Sequence, residues 1–289
     1  MSATLSAELR AALGGFDAGR AALAAGVAVT VLAGGGSNQT FRVTSAAGDW
    51  VVRLGGADDQ AFGINRVAER QVHAVAARAG FAPPLLHVDE DQRVLIAAHL
   101  PGAPWTREQA RSADGLRRIG ARLAELHALP VPRGVRRLDI HAVLAHYLEL
   151  KDVPPGPMSR ADLAARLRWS LANDRPRPPA LCHNDLHWRN FLGHDPLMFV
   201  DWEYGAVGDP LFELAAVVGY HDLDAGERAQ LLAAYGGTLT PADLDPMCRV
   251  FDCLHALWLD TARGWDALEA PRRAALLARL AVDPAERGA

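Results

Sequence analysis

Leu181-Cys182-His183-Asn184-Asp185-Leu186-His187-Trp188-Arg189-Asn190 leads into a turn at Gly193-His194-Asp195-Pro196, an apolar stretch Leu197-Met198-Phe199-Val200, and then Asp201-Trp202-Glu203-Tyr204. The apolar stretch reads as a strand, and the Gly/Pro turn before it returns the chain alongside the preceding loop. Asp185, Asn190 and Asp201 then converge on one point. All three offer hard oxygen atoms, the inventory that suits Mg²⁺, which takes one or two carboxylates and completes its octahedron with water and substrate phosphates.

The spacing is itself informative. His-x-Asp, four residues, Asn, and an aspartate ending the next strand is the arrangement that phosphoryl-transfer enzymes of the kinase type use. Such chemistry needs one carboxylate to orient the attacking hydroxyl and accept its proton, and separate oxygen ligands for the metal on the departing phosphates. Asp185 fits the first need, and Asn190 and Asp201 the second; His183 positions the loop. A zinc site built from His183, His187 and His194 is the competing metal reading. It is disfavoured because Asn184 and Asp185 put the first two histidines on a loop rather than a helix. A loop with Asp and Asn serving only as turn formers is the bland alternative, and the second aspartate at the strand end argues against it.

On either side of this stretch the chain changes character. Residues 27–32, 40–44 and 50–54 are short β-branched runs separated by glycine-rich turns, and 85–88 and 93–98 flank an acidic turn, so the first hundred residues read as an antiparallel meander around one helix at 64–79. After Leu100-Pro101-Gly102-Ala103-Pro104, apolar residues recur at threes and fours over 116–129, 140–150, 161–171, 210–220, 225–235, 241–261 and 271–280. A sheet domain joined to a helical one by a Pro/Gly hinge makes a cleft, where ligands bind.

Composition narrows the function classes. Thirty cations against 34 acids give a net charge of -4, so no basic field would gather nucleic acid. Lys151 is the only lysine, so chemistry that elsewhere uses lysine must use it or arginine. The longest apolar run, 21–33, is too short and glycine-rich to span a bilayer, and the expectation is a cytoplasmic protein without membrane insertion. Cys182, Cys248 and Cys253 form no CxxC pair and read as buried free thiols.

The segment Leu181 to Asp185, through Phe199 to Tyr204 and on to Gly208-Asp209-Pro210, resembles the aminoglycoside phosphotransferase and choline kinase superfamily, most closely its choline/ethanolamine kinase branch. The resemblance covers nearly the whole chain. It implies a protein-kinase-like two-lobe α+β fold, with residues 1–100 as a small antiparallel-sheet, nucleotide-binding lobe carrying one main helix. Residues 101–289 would form a larger, mostly helical lobe with the catalytic loop and acceptor pocket. It also implies ATP and Mg²⁺ as cosubstrate and metal, and a small-molecule alcohol as phosphate acceptor.

Other residues follow from the same resemblance. Gly35, Gly36, Ser37 and Asn38 lie between two strands, where backbone N–H groups could cradle phosphates; a bare hairpin turn is the alternative. Arg53 occupies the strand position where protein kinases carry lysine. Glu69, the only carboxylate between Phe62 and Gly80, would hold it against the phosphates, unless it makes only a surface pair with Arg66 or His73. The family's Ile-Asp-Arg before this glutamate is Ile64-Asn65-Arg66 here. Asp209 reads as a helix N-cap before Pro210, and in the family it also braces the catalytic loop. Ala98 and Leu100 lie at the hinge, where the family holds adenine through backbone groups.

The acceptor pocket is expected near Asp185. Tyr204, Trp258, Glu203 and Asp260 suggest an aromatic and acidic setting for a compact cation, although tryptophans on helices usually pack in cores. The leading expectation is therefore a kinase of a small cationic alcohol such as choline, ethanolamine or thiamine. An aminoglycoside phosphotransferase, a catalytically silent nucleotide-binding module and a metal-dependent hydrolase are the alternatives.

Overall fold

The β-branched runs of the first half assemble into one antiparallel sheet. The structure, a computed structural model, describes residues 5–32, 38–56, 59, 61–91, 93–175, 177–262 and 264–282. Two helices, α1 (Ala7–Gly14) and α2 (Asp17–Ala25), precede β1 (Ala28–Val31), β2 (Asn38–Ser45) and β3 (Gly48–Gly55). Helix α3 (Arg66–Arg78), β4 (Leu85–Val88) and β5 (Val94–Ala98) follow, and the sheet order is β1-β2-β3-β5-β4.

Side chains alternate across a strand, so Trp50 and Val52 of β3 point to one face and Arg53 to the other. Trp50, Val52, Val29, Val43 and Ile96 pack with Leu9, Ala12, Leu13 and Ala22 of α1 and α2. The two leading helices were not expected. Their alanine-rich sequence has good helix propensity but no long amphipathic stripe, and tertiary burial against the sheet completes them.

Beyond the hinge, each helix begins where a small polar residue meets an apolar run. Thr106 caps α4 (Arg107–Arg111), Ser112 caps α5 (Ala113–His127), Asp139 caps α6 (Ile140–Glu149) and Ser159 caps α7 (Arg160–Ala172), each side chain accepting from a first-turn backbone N–H. The central segment then forms β6 (Ala180–Cys182), β7 (Phe191–Leu192), β8 (Met198–Phe199) and β9 (Ala206–Gly208). Helices α8 (Pro210–His221), α9 (Ala225–Tyr235), α10 (Pro241–Ala262) and α11 (Ala270–Ala281) complete the lobe. Helix α5 packs on α9, and α10 on α7 and α8.

The fold is thus the expected α+β arrangement of a small antiparallel sheet followed by a mostly helical region. Val72, Ala76, Phe81 and Ala82, from α3 and the segment after it, join the helical core rather than the sheet core, so packing crosses the expected boundary at residue 100. Gly35, Gly36 and Ser37 lie outside the described residues. All three cysteines are buried free thiols, and burial pushes Cys248 and Cys253 up to about 12. Among the described residues no helix is long and apolar enough to cross a membrane.

Candidate active site

Two short antiparallel pairings fold the central segment onto itself. Strand β6 pairs with β9, Leu181 opposite Val207, while β7 pairs with β8, Phe191 opposite Phe199. Val200 N–H donates to the Asn190 carbonyl at 3.0 Å, which puts Asn190 and Asp201 side by side at the mouth of the second hairpin. Asn184 and Asp201 both sit in the left-handed region, at φ 67° and 65°. Asn and Asp tolerate that conformation better than other non-glycine residues, so these identities serve the backbone as well as the chemistry.

His183 is fully buried, and burial pushes it down to about 4, so it is neutral near pH 7. Its tautomer follows from its partners: Nε2 donates to the Val200 carbonyl at 2.8 Å, and Nδ1 accepts from Asp185 N–H at 3.3 Å. The ring therefore ties the Asp185 loop to the strand leading into Asp201. Asn190 Nδ2 donates to the Asp185 carbonyl at 2.7 Å and to its Oδ2 at 3.3 Å.

A second brace lies beneath. Glu213 Oε1 accepts from His183 N–H at 2.6 Å and Asn184 N–H at 3.0 Å, and Oε2 receives His127 Nε2 at 2.6 Å. Tyr235 completes the chain through its hydroxyl to His127 Nδ1 at 2.9 Å. Asp209 caps α8 as expected, accepting from Leu211 N–H at 2.8 Å, and pairs with Arg177 at 2.8 Å, while the brace that the family resemblance also placed there is made by Glu213. Glu213 was overlooked, yet as the one charge in the apolar run Leu211 to Val218 it left a readable trace. His127, Cys182 and Glu213 are close enough to share a metal, but both Glu213 oxygens are already accepting hydrogen bonds.

Above the hairpin, Arg53 and Glu69 meet in a bidentate pair; Nη2 donates to Oε2 at 2.7 Å and Nη1 to Oε1. Arg53 Nη1 also lies 3.5 Å from Asp201 Oδ1. Glu69 is only 1% exposed, so this is no surface pair. Arg66 converges on the same place, donating to Asp59 at 2.5 and 2.8 Å, Glu69 at 2.8 Å, Glu203 at 3.1 Å and Asn38 Oδ1 at 2.7 Å. Considered from sequence only as a surface partner of Glu69, Arg66 links β2, α3 and the segment after Asp201. Asn65, where the family carries aspartate, caps α3 by accepting from Ala68 N–H at 2.9 Å, a role either residue performs.

Asp201 tests whether a cation fits. Its Oδ1 is enclosed and has no hydrogen-bond partner among the described residues. Burial and the neighbouring Glu203 push its carboxyl well above the usual range against the pull of Arg53, with Glu69 and Asp185 adding to the rise. A divalent cation would satisfy the orphaned oxygen and offset that repulsion. Asp201→Asn is accordingly expected to raise the melting temperature of the metal-free protein by a few degrees and to remove the stabilisation that Mg²⁺ gives the wild type. Thermal melts with and without Mg²⁺ check this, and a lower metal-free melting temperature in the variant would count against the site.

The remaining expected positions separate. Tyr204 and Trp258 come together: the Trp258 indole donates to the Tyr204 hydroxyl, which donates to the Phe62 carbonyl, both at 3.3 Å. Glu203 is buried, its Oε2 accepting from Asn38 and Arg66. Asp260 lies two residues past Trp258 on α10, hence on a different side of the helix, and accepts from the Trp265 indole at 2.6 Å. Of the two carboxylates expected beside the aromatic pair, Asp260 is thus turned from Trp258, while the Glu203 carboxylate acts as a charge on the Tyr204 phenol. Ala98 ends β5, its N–H bonded to the Pro84 carbonyl at 2.9 Å, and Leu100 is half-buried in the connection between the lobes. Two tyrosines missed by sequence reading complete the surroundings of Asp185: its carboxylate acts on Tyr147 as a charge, and on Tyr220 both as a charge and as a hydrogen-bond acceptor.

A strand-rich lobe joined to a helical one, with a braced Asp loop and an Asp-bearing hairpin below a buried Arg–Glu pair, is the architecture of kinase-like phosphotransferases. Residues 28–248 match the profile of the phosphotransferase enzyme family, and the chain belongs to that family. A choline/ethanolamine kinase of Mus musculus is 28% identical over 205 residues, which cover 62% of this chain but only 51% of that protein, so the match spans about half the relative's length. Among solved structures, a choline/ethanolamine kinase family protein from Mesorhizobium loti superposes with a TM-score of 0.72 at 27% identity, covering 96% of this chain and 99% of its own. LicA in complex with AMP gives a TM-score of 0.72 at 19% identity, covering 88% and 92%, and shows the shared fold.

Proposed function

We propose that the protein transfers the γ-phosphoryl group of ATP to the hydroxyl of a small alcohol, with Asp185 accepting the hydroxyl proton. The convergence of Asp185, Asn190 and Asp201, with the enclosed Asp201 Oδ1 unbonded, carries this reading. The choline/ethanolamine kinase relative and the AMP complex of LicA support the acceptor and nucleotide classes.

The acceptor oxygen attacks the γ-phosphorus as its proton passes to the Asp185 carboxylate; the bond to the β–γ bridging oxygen breaks and ADP leaves. Asn190 Nδ2 steadies Asp185, leaving the amide oxygen and Asp201 as the ligands that would hold Mg²⁺. When bound, Mg²⁺ supplies charge neutralisation on the phosphates. Arg53, aimed by Glu69, meets the phosphates from above. His183, neutral, fixes the loop and takes no proton.

The Tyr204–Trp258 wall is proposed to receive a cationic head group on the acceptor. A desolvated cation–π contact is worth about 2 kcal/mol or more, roughly thirtyfold in affinity. Trp258→Ala should raise the acceptor KM by about that factor and leave the ATP KM unchanged. The reading as a whole is tested by incubating the protein with ATP, Mg²⁺ and a panel containing choline, ethanolamine, thiamine and an aminoglycoside, and measuring ADP release. Release above background with an alcohol supports the kinase; none with any acceptor favours the silent nucleotide-binding module or the metal-dependent hydrolase.

A further inference from the structure

Among the described residues Arg136 is a cation without a paired carboxylate. The segment 136–138 lies alongside β9, where the Arg136 carbonyl accepts from Val207 N–H and Leu138 N–H donates to the Val207 carbonyl, both at 2.8 Å. These bonds anchor the backbone and leave the side chain to point elsewhere. Its Nη1 is enclosed with no hydrogen-bond partner, and among the described residues no carboxylate pairs with the guanidinium. The titratable groups that act on it there are two phenols, Tyr204 and Tyr147, both kept neutral by burial. Burial lowers the affinity of Arg136 for its proton, yet an arginine does not lose that proton in a protein.

Both phenols border the reaction site. Tyr204 holds the Trp258 indole, and the Asp185 carboxylate acts electrostatically on Tyr147 and on Tyr204. A guanidinium with one enclosed and unbonded nitrogen is costly to keep. Arginines at the centre of the fold have acidic partners by contrast: Arg53 has Glu69, Arg66 has three carboxylates, and Arg279 has Asp222 and Asp252.

We infer that Arg136 is a specificity residue whose missing partner is an anionic group, a carboxylate or phosphoryl, carried by the acceptor alcohol. This rests on the kinase reading above and narrows its substrate class. With the Trp258 indole donating to the Tyr204 hydroxyl, and the same phenol acting on Arg136, the acceptor is a small zwitterionic alcohol: hydroxyl at Asp185, ammonium against the aromatic wall, acid at Arg136. Arginine suits the last place because its planar fork meets a carboxylate or phosphate through two parallel N–H···O bonds.

The test uses matched alcohols that differ by an acid: ethanolamine against L-serine, choline against L-carnitine, and glycerol against D-glycerate, with ATP and Mg²⁺, reading ADP release. The acid-bearing member of at least one pair is expected to have a kcat/KM about tenfold to a hundredfold higher, the value of a hydrogen bond to a charged group that is left unmade by its partner. Arg136→Gln should collapse that preference, and Arg136→Lys, which keeps the charge but not the fork, should retain part of it. Because Arg136→Gln removes an unpaired charge rather than a paired one, its unliganded melting temperature should equal or exceed that of the wild type, which separates lost recognition from lost folding. If the members lacking an acid are phosphorylated at least as well in every pair and Arg136→Gln changes no ratio, the inference is overturned while the kinase reading stands. If no alcohol in the set or in the wider panel releases ADP, the kinase reading itself falls, and the inference with it.

Discussion

Asp185→Asn is expected to lose about 10²- to 10⁴-fold in kcat, the usual loss when a positioned proton acceptor is removed, while nucleotide affinity stays close to that of the wild type. The substitution is nearly isosteric. Asn190 Nδ2 keeps its stronger contact, the 2.7 Å bond to the residue-185 carbonyl, because that acceptor is backbone. The His183 Nδ1 contact is likewise to the backbone N–H of residue 185, so the loop retains its shape. Only the ability to take a proton from the acceptor hydroxyl disappears. Steady-state kinetics beside nucleotide titration separate the two quantities, and a variant keeping more than half of the wild-type kcat would remove Asp185 from its role.

The central hairpin was legible because its chemistry and its conformation ask for the same residues. Asn184 and Asp201 occupy left-handed backbone positions that Asn and Asp tolerate, and the turn between β7 and β8 is written in Gly193 and Pro196. The helices after residue 112 were legible from periodicity, with Asp209 and Pro210 marking the start of α8; α9 begins and ends where the pattern placed it. Helices α1 and α2 were not, because what stabilises them is packing made only after the sheet forms, Leu9 and Leu13 of α1 and Ala22 of α2 joining the core that holds Val43 and Val52.

Long-range polar partnerships were the least readable. Glu213 reaches His183 across 30 residues and Arg66 reaches Glu203 across 137, and nothing local in the sequence records either bond. For the same reason Asp260 looked like a neighbour of Trp258 when only two residues separated them, although a helix turns such residues apart. The lone carboxylate in an apolar helix was a usable signal for Glu213. No comparable signal marks Arg136, one of many arginines in the chain, whose Nη1 has no hydrogen-bond partner among the described residues.

Glu69→Ala is expected to destabilise the fold by about 3–5 kcal/mol, the cost of breaking a buried ion pair by removing one member. The size follows from what is left behind. Arg53 and Arg66 both donate to Glu69, both are largely enclosed, and Arg53 would retain only the longer contact to Asp201. Burial opposes ionisation of Glu69, but the Arg53 and Arg66 charges and hydrogen bonds prevail and hold its carboxyl below the usual range. A carboxylate whose folded pKa lies below its unfolded one contributes stability that is present above the unfolded value, about 4.3, and lost as pH falls through the folded value. The gap between wild type and variant in urea denaturation should therefore be full at pH 7 and close only in acid below the ordinary carboxylate range. A companion double variant, Arg53→Met with Glu69→Leu, replaces the pair by apolar groups and should recover much of the lost stability without recovering catalysis, since such replacement is often neutral or better. Strict additivity of Arg53→Met and Glu69→Leu would mean that the two side chains do not act as a unit, and Arg53 would then need another anchor to face the phosphates.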